Sequence, residues 1–182
     1  MSPINVIGLD HVVLRVANIK ISLEWYKNVL GCVEERIVPN LGLYQLRLGL
    51  ALIDLVPFDG TLGKIGGGPP TKKRRNMDHF AIQIIDFDEK KIRLHLSRQG
   101  VESTSVERRY GSLGHGPSMY ILDPDGNTVE LKGPPDSCQK EKLDGVIYKF
   151  PKKGETARSF ARSTLLASVR RRESRNKRKK IT

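Results

Sequence analysis

Two stretches of alternating polar and apolar residues, far apart in the chain, follow one pattern. Residues 8–16 read GLDHVVLRV and residues 76–84 read NMDHFAIQI. Each opens on Asp-His and continues with period two, the signature of a half-buried strand. After each strand the period lengthens to that of a helix. Asn18 can cap a helix carrying Ile21, Leu23, Trp25, Tyr26, Val29 and Leu30 that ends at Gly31; Asp86 or Asp88 can cap a second, with Ile92, Leu94 and Leu96, that ends at Gly100. Asn or Asp before a helix and Gly after it are its start and stop signals. His11 to Gly31 spans 20 positions and His79 to Gly100 spans 21. The chain therefore contains an internal repeat, and the repeat sets the architecture.

Each half continues in strands. Residues 43–48 and 51–56 predict a hairpin turning at Gly49, and 118–122 and 128–132 flank Asp123-Pro124-Asp125-Gly126-Asn127, a strong hairpin turn. A further strand is expected before each hairpin, near 34–38 and near 103–107. The unit reads β-α-β-β-β, twice: modules at about 6–57 and 76–133 within a domain of residues 1–136, joined by a linker at 58–75. That linker holds Gly66-Gly67-Gly68, Pro69-Pro70 and a basic run at 72–75, the composition of a mobile connection. Its Gly63-Lys64 is followed by Ile65, so the phosphate-loop pattern is absent.

Alternation also assigns faces. Val12, Leu14 and Val16 share one side of the first strand, and His11, Val13 and Arg15 share the other. In the second module Phe80, Ile82 and Ile84 oppose His79, Ala81 and Gln83. Near the end of each module a carboxylate interrupts an apolar strand: Asp54 between Ile53 and Leu55, Glu130 between Val129 and Leu131. A buried carboxylate is costly unless a positive partner meets it. If the halves pair about a pseudo-twofold axis, two imidazoles and two carboxylates converge, and one divalent cation satisfies all four.

Charge divides the chain. Of its 32 Lys+Arg and 20 Asp+Glu, residues 1–136 hold 17 and 16, and residues 137–182 hold 15 and 4. The domain is near neutral and the excess lies in the tail. A tail so basic and poor in aromatics is expected to be disordered, and is suited to weak contact with nucleic acid or an anionic membrane. No run of roughly 18 apolar residues predicts a transmembrane helix. Cys32 and Cys138 lie in no metal-binding spacing and read as free thiols of a cytoplasmic protein.

The segments LDHVVLRV, WYKNVLGC, MDHFAIQI and DPDGNTVEL together resemble the glyoxalase/bleomycin-resistance/extradiol-dioxygenase (vicinal oxygen chelate) superfamily over about residues 6–133. The resemblance implies an α+β fold in which paired βαβββ modules form a cupped, barrel-like mixed sheet around a divalent metal, with helices outside. It implies His11, His79 and Glu130 as ligands. Glyoxalase I-like members carry Glu at the first-module position where this chain has Asp54, so Asp54 is either a fourth ligand or a neighbour of the ligands. Such a donor set suits Zn, Ni, Fe, Mn or Co. The expected activity is that of a lyase, isomerase or dioxygenase on a small molecule chelated through vicinal oxygens, with Glu130 also able to act as general base. Arg15 and Gln83 point into the same cup. Arg109 and Tyr110 lie on a glycine-rich loop at 108–118 that suits an anionic substrate, which makes these four the candidate substrate-binding residues. The rival readings are a non-catalytic small-molecule-binding module of the same fold, and a nucleic-acid-associated protein acting through its tail. The cup can close within one chain or across a swapped pair, and a homodimer is the expected assembly.

Overall fold

A computed structural model describes residues 9–68, 77–84 and 87–136. The expectations for the basic tail, Cys138, the run at 72–75 and Asp86 as a helix cap lie outside these residues. Both halves form the expected unit. The first comprises β1 (His11–Val16), α1 (Ile19–Leu30), β2 (Val33–Val38), β3 (Leu43–Leu48) and β4 (Ala51–Pro57). The second comprises β5 (His79–Gln83), α2 (Glu89–Arg98), β6 (Glu107–Gly111), β7 (Gly114–Leu122) and β8 (Thr128–Lys132). Asn18 Oδ1 accepts the amides of Lys20 and Ile21, and Asp88 Oδ1 accepts that of Lys91, so both helices start on the side-chain caps that the sequence offers. Gly31 ends α1 in the left-handed region at φ 69°.

The fold is α+β, with each module a four-stranded mixed sheet in the order β1-β4-β3-β2 or β5-β8-β7-β6. The first strand runs parallel to the last, and the other pairs are antiparallel. The expectation of one barrel-like sheet is corrected here: the described strands make two separate sheets, with no ladder between β1 and β5. The modules meet through their helix-bearing sides. Tyr26, Leu46 and Leu55 centre the first core and Leu96, Met119, Ile121 and Val129 the second, while Trp25, Leu30 and Phe80 touch both. Burying each large apolar side chain contributes about 1.5–3 kcal/mol. α1 also reaches across in polar contacts: Tyr26 Oη donates to Asp123 Oδ2 at 2.8 Å, and Ser22 Oγ to Asp125 Oδ2 at 3.1 Å. The interior of the chain is thus built from helices and the apolar sheet faces; on the opposite faces His11 and His79 are partly exposed while Asp54, Ser118, Glu130 and Lys132 are buried.

A second correction concerns the strand expected near 103–107 and the loop expected at 108–118. Only Ser103 makes an isolated bridge, to Ile121; the strand is β6, and the loop is mostly the β6–β7 hairpin, with Gly111 opposite Gly114. Glu107, Arg108, Arg109 and Tyr110 are all exposed on an edge strand. Neither face is buried there, so no alternation marks the strand. Among the described residues no helix is long and apolar enough to cross a membrane. Cys32 is a buried free thiol, pushed up to about 12 by burial.

Candidate metal centre

The repeat is reproduced in strand register. Val13 on β1 lies opposite Asp54 on β4, and Ala81 on β5 lies opposite Glu130 on β8. In both modules the histidine stands two residues before the position that faces the carboxylate, on the same side of the sheet. The two hairpins extend the match: Gln45 on β3 faces Asp54, and Tyr120 on β7 faces Glu130.

The side chains differ in reach. His79 Nε2 stands 3.2 Å from Glu130 Oε2, and Tyr120 meets the His79 ring edge-on with centroids 5.6 Å apart. In the first module Gln45 Nε2 donates to Asp54 Oδ2 at 2.9 Å. Asp54 is one methylene shorter than Glu130, and it acts on His11 through charge. The hydrogen bond with Asp10 raises the His11 pKa; burial opposes this and the Asp54 carboxylate adds to it.

Both carboxylates are buried, Asp54 to 3% and Glu130 to 6% relative exposure. Asp54 Oδ1 and Glu130 Oε1 are the buried side-chain polar atoms without a hydrogen-bond partner among the described residues. Buried polar atoms in folded proteins are nearly always paired, and an unpaired acceptor costs about 1–3 kcal/mol. Two such orphans at equivalent positions of the repeat are oxygen donors of the kind a divalent cation takes. The candidate donors lie in two pairs, one in each module. Among the described residues no three His, Cys, Asp or Glu side chains of one chain are grouped to hold a metal.

Solved structures share this architecture. An integron cassette protein from the mobile metagenome of Vibrio cholerae is 26% identical, with a TM-score of 0.55 over 71% of this chain and 97% of that one. A virulence protein from Salmonella typhimurium is 23% identical, with a TM-score of 0.56 over 72% and 99%. The fosfomycin resistance protein FosX from Listeria monocytogenes is 20% identical, with a TM-score of 0.53 over 71% and 94%. No curated protein matches. The family model for the Glyoxalase/Bleomycin resistance protein/Dioxygenase superfamily matches residues 8–131. The chain belongs to that superfamily.

In this superfamily member the four candidate substrate-binding residues have separate fates. Arg15 lies on the His11 side of β1, but its guanidinium is taken up by the chain itself. It donates to the carbonyls of Gly63 at 3.0 Å, Gly66 at 2.8 Å and Gly68 at 3.2 Å, bonds Gly67 O, and lies 5.1 Å from the Phe58 ring centroid. A Cβ on Gly66 would meet the guanidinium at 2.8 Å and one on Gly63 would run into the Pro57 carbonyl, while Gly68 has open space around it. Gln83 is exposed on the His79 side, opposite Lys132. Arg109, opposite Gly116, lies on the Glu130 side but pairs with Glu107. Tyr110 falls on the alternate register, 74% exposed and edge-on to His115.

Sequence reasoning missed Gln45, Tyr120 and Lys132. The first two follow from turn positions, since a two-residue turn after Leu48 places 45 opposite 54, and the Asp123–Asn127 turn places 120 opposite 130. Lys132, two residues after Glu130, is a buried ammonium that donates to Gly116 O at 3.0 Å, Ser118 Oγ at 3.1 Å and Arg109 O. It pins the β6–β7 hairpin beside Glu130. Burial lowers its pKa, the Glu130 charge opposes that shift, and Arg108 adds to it.

Proposed function

We propose that this protein is a metal-dependent lyase, isomerase or dioxygenase acting on a small substrate that offers two vicinal oxygens. The unpartnered buried oxygens of Asp54 and Glu130, at matched positions of the two modules, carry this reading. His11, His79 and Glu130 would hold the cation, with Asp54 as fourth ligand, and Zn, Ni, Fe, Mn and Co all suit such donors. When bound, the cation supplies Lewis acidity toward the substrate oxygens. Glu130 then has a second task. With Oε2 beside His79 and Oε1 unpartnered, its carboxylate is the base that can take a substrate proton. Lys132 holds the neighbouring hairpin still, and Gln45 fixes the Asp54 carboxylate by its Oδ2. Gln83 and Arg109 line the approach.

Two copies complete the site in this reading. The half-site faces look outward, with His11, Val13 and His79 partly or half exposed, and a second copy related by a twofold axis would bring His11 of one chain to His79 and Glu130 of the other. Subunit mixing tests this. His11→Ala and His79→Ala each lose the metal alone. Exchanging their subunits makes mixed dimers with one intact site each, so metal content recovers to roughly one quarter of wild type at random pairing. No recovery after verified exchange would mean that each site is built within one chain.

A further inference from the structure

The sequence repeats more than its histidines: each is preceded by an aspartate, and the ligand set above leaves those aspartates without a task. We infer that Asp10 and Asp78 are positioning residues that select the tautomer and orientation of His11 and His79. The inference rests on the proposed metal centre.

In both modules the same ring nitrogen is engaged. His11 Nδ1 lies 2.6 Å from Asp10 Oδ1, and His79 Nδ1 lies 2.7 Å from Asp78 Oδ2. Everything else around the two rings differs, with Gln45 and Asp54 on one side and Tyr120 and Glu130 on the other. The shared contact is therefore a property of the repeat. Asp10 precedes the ladder, where its carbonyl accepts the Leu52 amide at 3.0 Å, so the backbone is fixed while the side chain turns to its neighbour. The Asp10 and Asp78 side chains are 90% and 97% exposed and are not part of either core.

A carboxylate only accepts, so the nitrogen facing it carries the proton. A neutral imidazole has one N–H, and with that proton on Nδ1 the lone pair is on Nε2. In His79, Nε2 also faces a carboxylate, Glu130 at 3.2 Å, so without a cation a proton lies between those two atoms, and a cation bound there would displace it. A histidine ring has a broad, nearly two-fold torsional preference of its own, and a second hydrogen bond removes that freedom. Outer carboxylates of this kind orient histidine ligands, and losing one weakens metal binding about ten- to hundredfold.

The test must separate orientation from plain attraction between a cation and a nearby negative charge. Asparagine keeps an acceptor oxygen and loses the charge; alanine loses both. Zinc affinity of the full-length protein, measured by competition with a chromophoric chelator, is expected to fall about ten- to hundredfold in Asp10→Ala and Asp78→Ala. Asp10→Asn and Asp78→Asn should hold most of the wild-type affinity. Alanine variants that bind zinc as tightly as wild type would overturn the inference, as would asparagine variants as weak as the alanine ones. A metal-free readout runs beside it. Nitrogen-15 shifts of the neutral His11 ring should report the Nδ1–H tautomer in wild type and a shift toward Nε2–H in Asp10→Ala. If wild type takes up no zinc, the proposed metal centre fails on that result, and the His11 tautomer alone decides for or against the role of Asp10.

Discussion

Asp123→Ala lowers stability by roughly 3–4 kcal/mol, or about 10 °C in melting temperature for a chain of this size, while Asp125→Asn leaves it unchanged or raises it. The two aspartates stand in one turn and do different work. Asp123 Oδ1 accepts the amides of Asp125 at 3.0 Å and Asn127 at 2.7 Å, and Oδ2 accepts Tyr26 Oη at 2.8 Å and Asn127 Nδ2 at 2.9 Å. Tyr26 is fully buried, and burial first and the Asp123 charge second push its phenol far up, so it donates at every accessible pH. Alanine at 123 leaves that hydroxyl and two turn amides without partners and cuts a tie between the modules. Each loss costs about 1–3 kcal/mol, and the sum is smaller because the losses are coupled.

Among the described residues the Asp125 carboxylate takes only the Ala17 amide at 2.7 Å and the Ser22 hydroxyl at 3.1 Å. Burial, with the Asp123 charge adding to it, raises its pKa against those two hydrogen bonds. A carboxyl raised on folding works against the folded state wherever it is ionised. The penalty is complete above its folded pKa and disappears as the pH falls below the ordinary carboxylate range. Asparagine keeps an oxygen for Ala17, offers an N–H to the Ser22 oxygen and has no charge to bury. Thermal unfolding of both variants at neutral pH checks the contrast, and equal losses would contradict it.

The second large effect reverses sign with metal. In chelator, Glu130→Gln should melt a few degrees above wild type, gaining about 1–2 kcal/mol because a buried charge gives way to a neutral amide of nearly the same shape. The glutamine N–H also has an acceptor ready in His79 Nε2. With metal at about a thousandfold over its dissociation constant, wild type gains about 4 kcal/mol and the order inverts, since the variant lacks that ligand. Site residues held at a cost to stability are the usual trade between function and folding. Wild type and variant melting alike in both conditions would mean that Glu130 neither strains the fold nor binds metal.

The architecture was legible because two periods and a repeat agree. Asp-His followed by alternation, an Asn or Asp cap, a helical stripe and a terminal glycine recur at nearly equal spacing, and both modules form the β-α-β-β-β unit. β6 was read too early in the chain, because a strand exposed on both faces carries no alternation to fix its ends. The separation into two sheets was hidden for another reason: alternation assigns a face to each residue but does not say which sheet edges meet. The opposed His/carboxylate positions could be read from strand parity. Arg15 could not, because its destination depends on carbonyls of Gly63 to Gly68, and backbone acceptors leave no mark in a side-chain pattern. Lys132 carries no mark in the sequence; only the hairpin fold places three acceptors around it.

In the proposed reading the two half-sites bind one kind of divalent cation. Elemental analysis of wild type and His79→Ala, both purified without added metal, tests it most directly. Metal in the wild type at a near-stoichiometric level, and its loss in the variant, is the predicted result. Metal absent from both, even after reconstitution with Zn, Ni, Fe, Mn and Co in turn, would mean that these residues hold no cation.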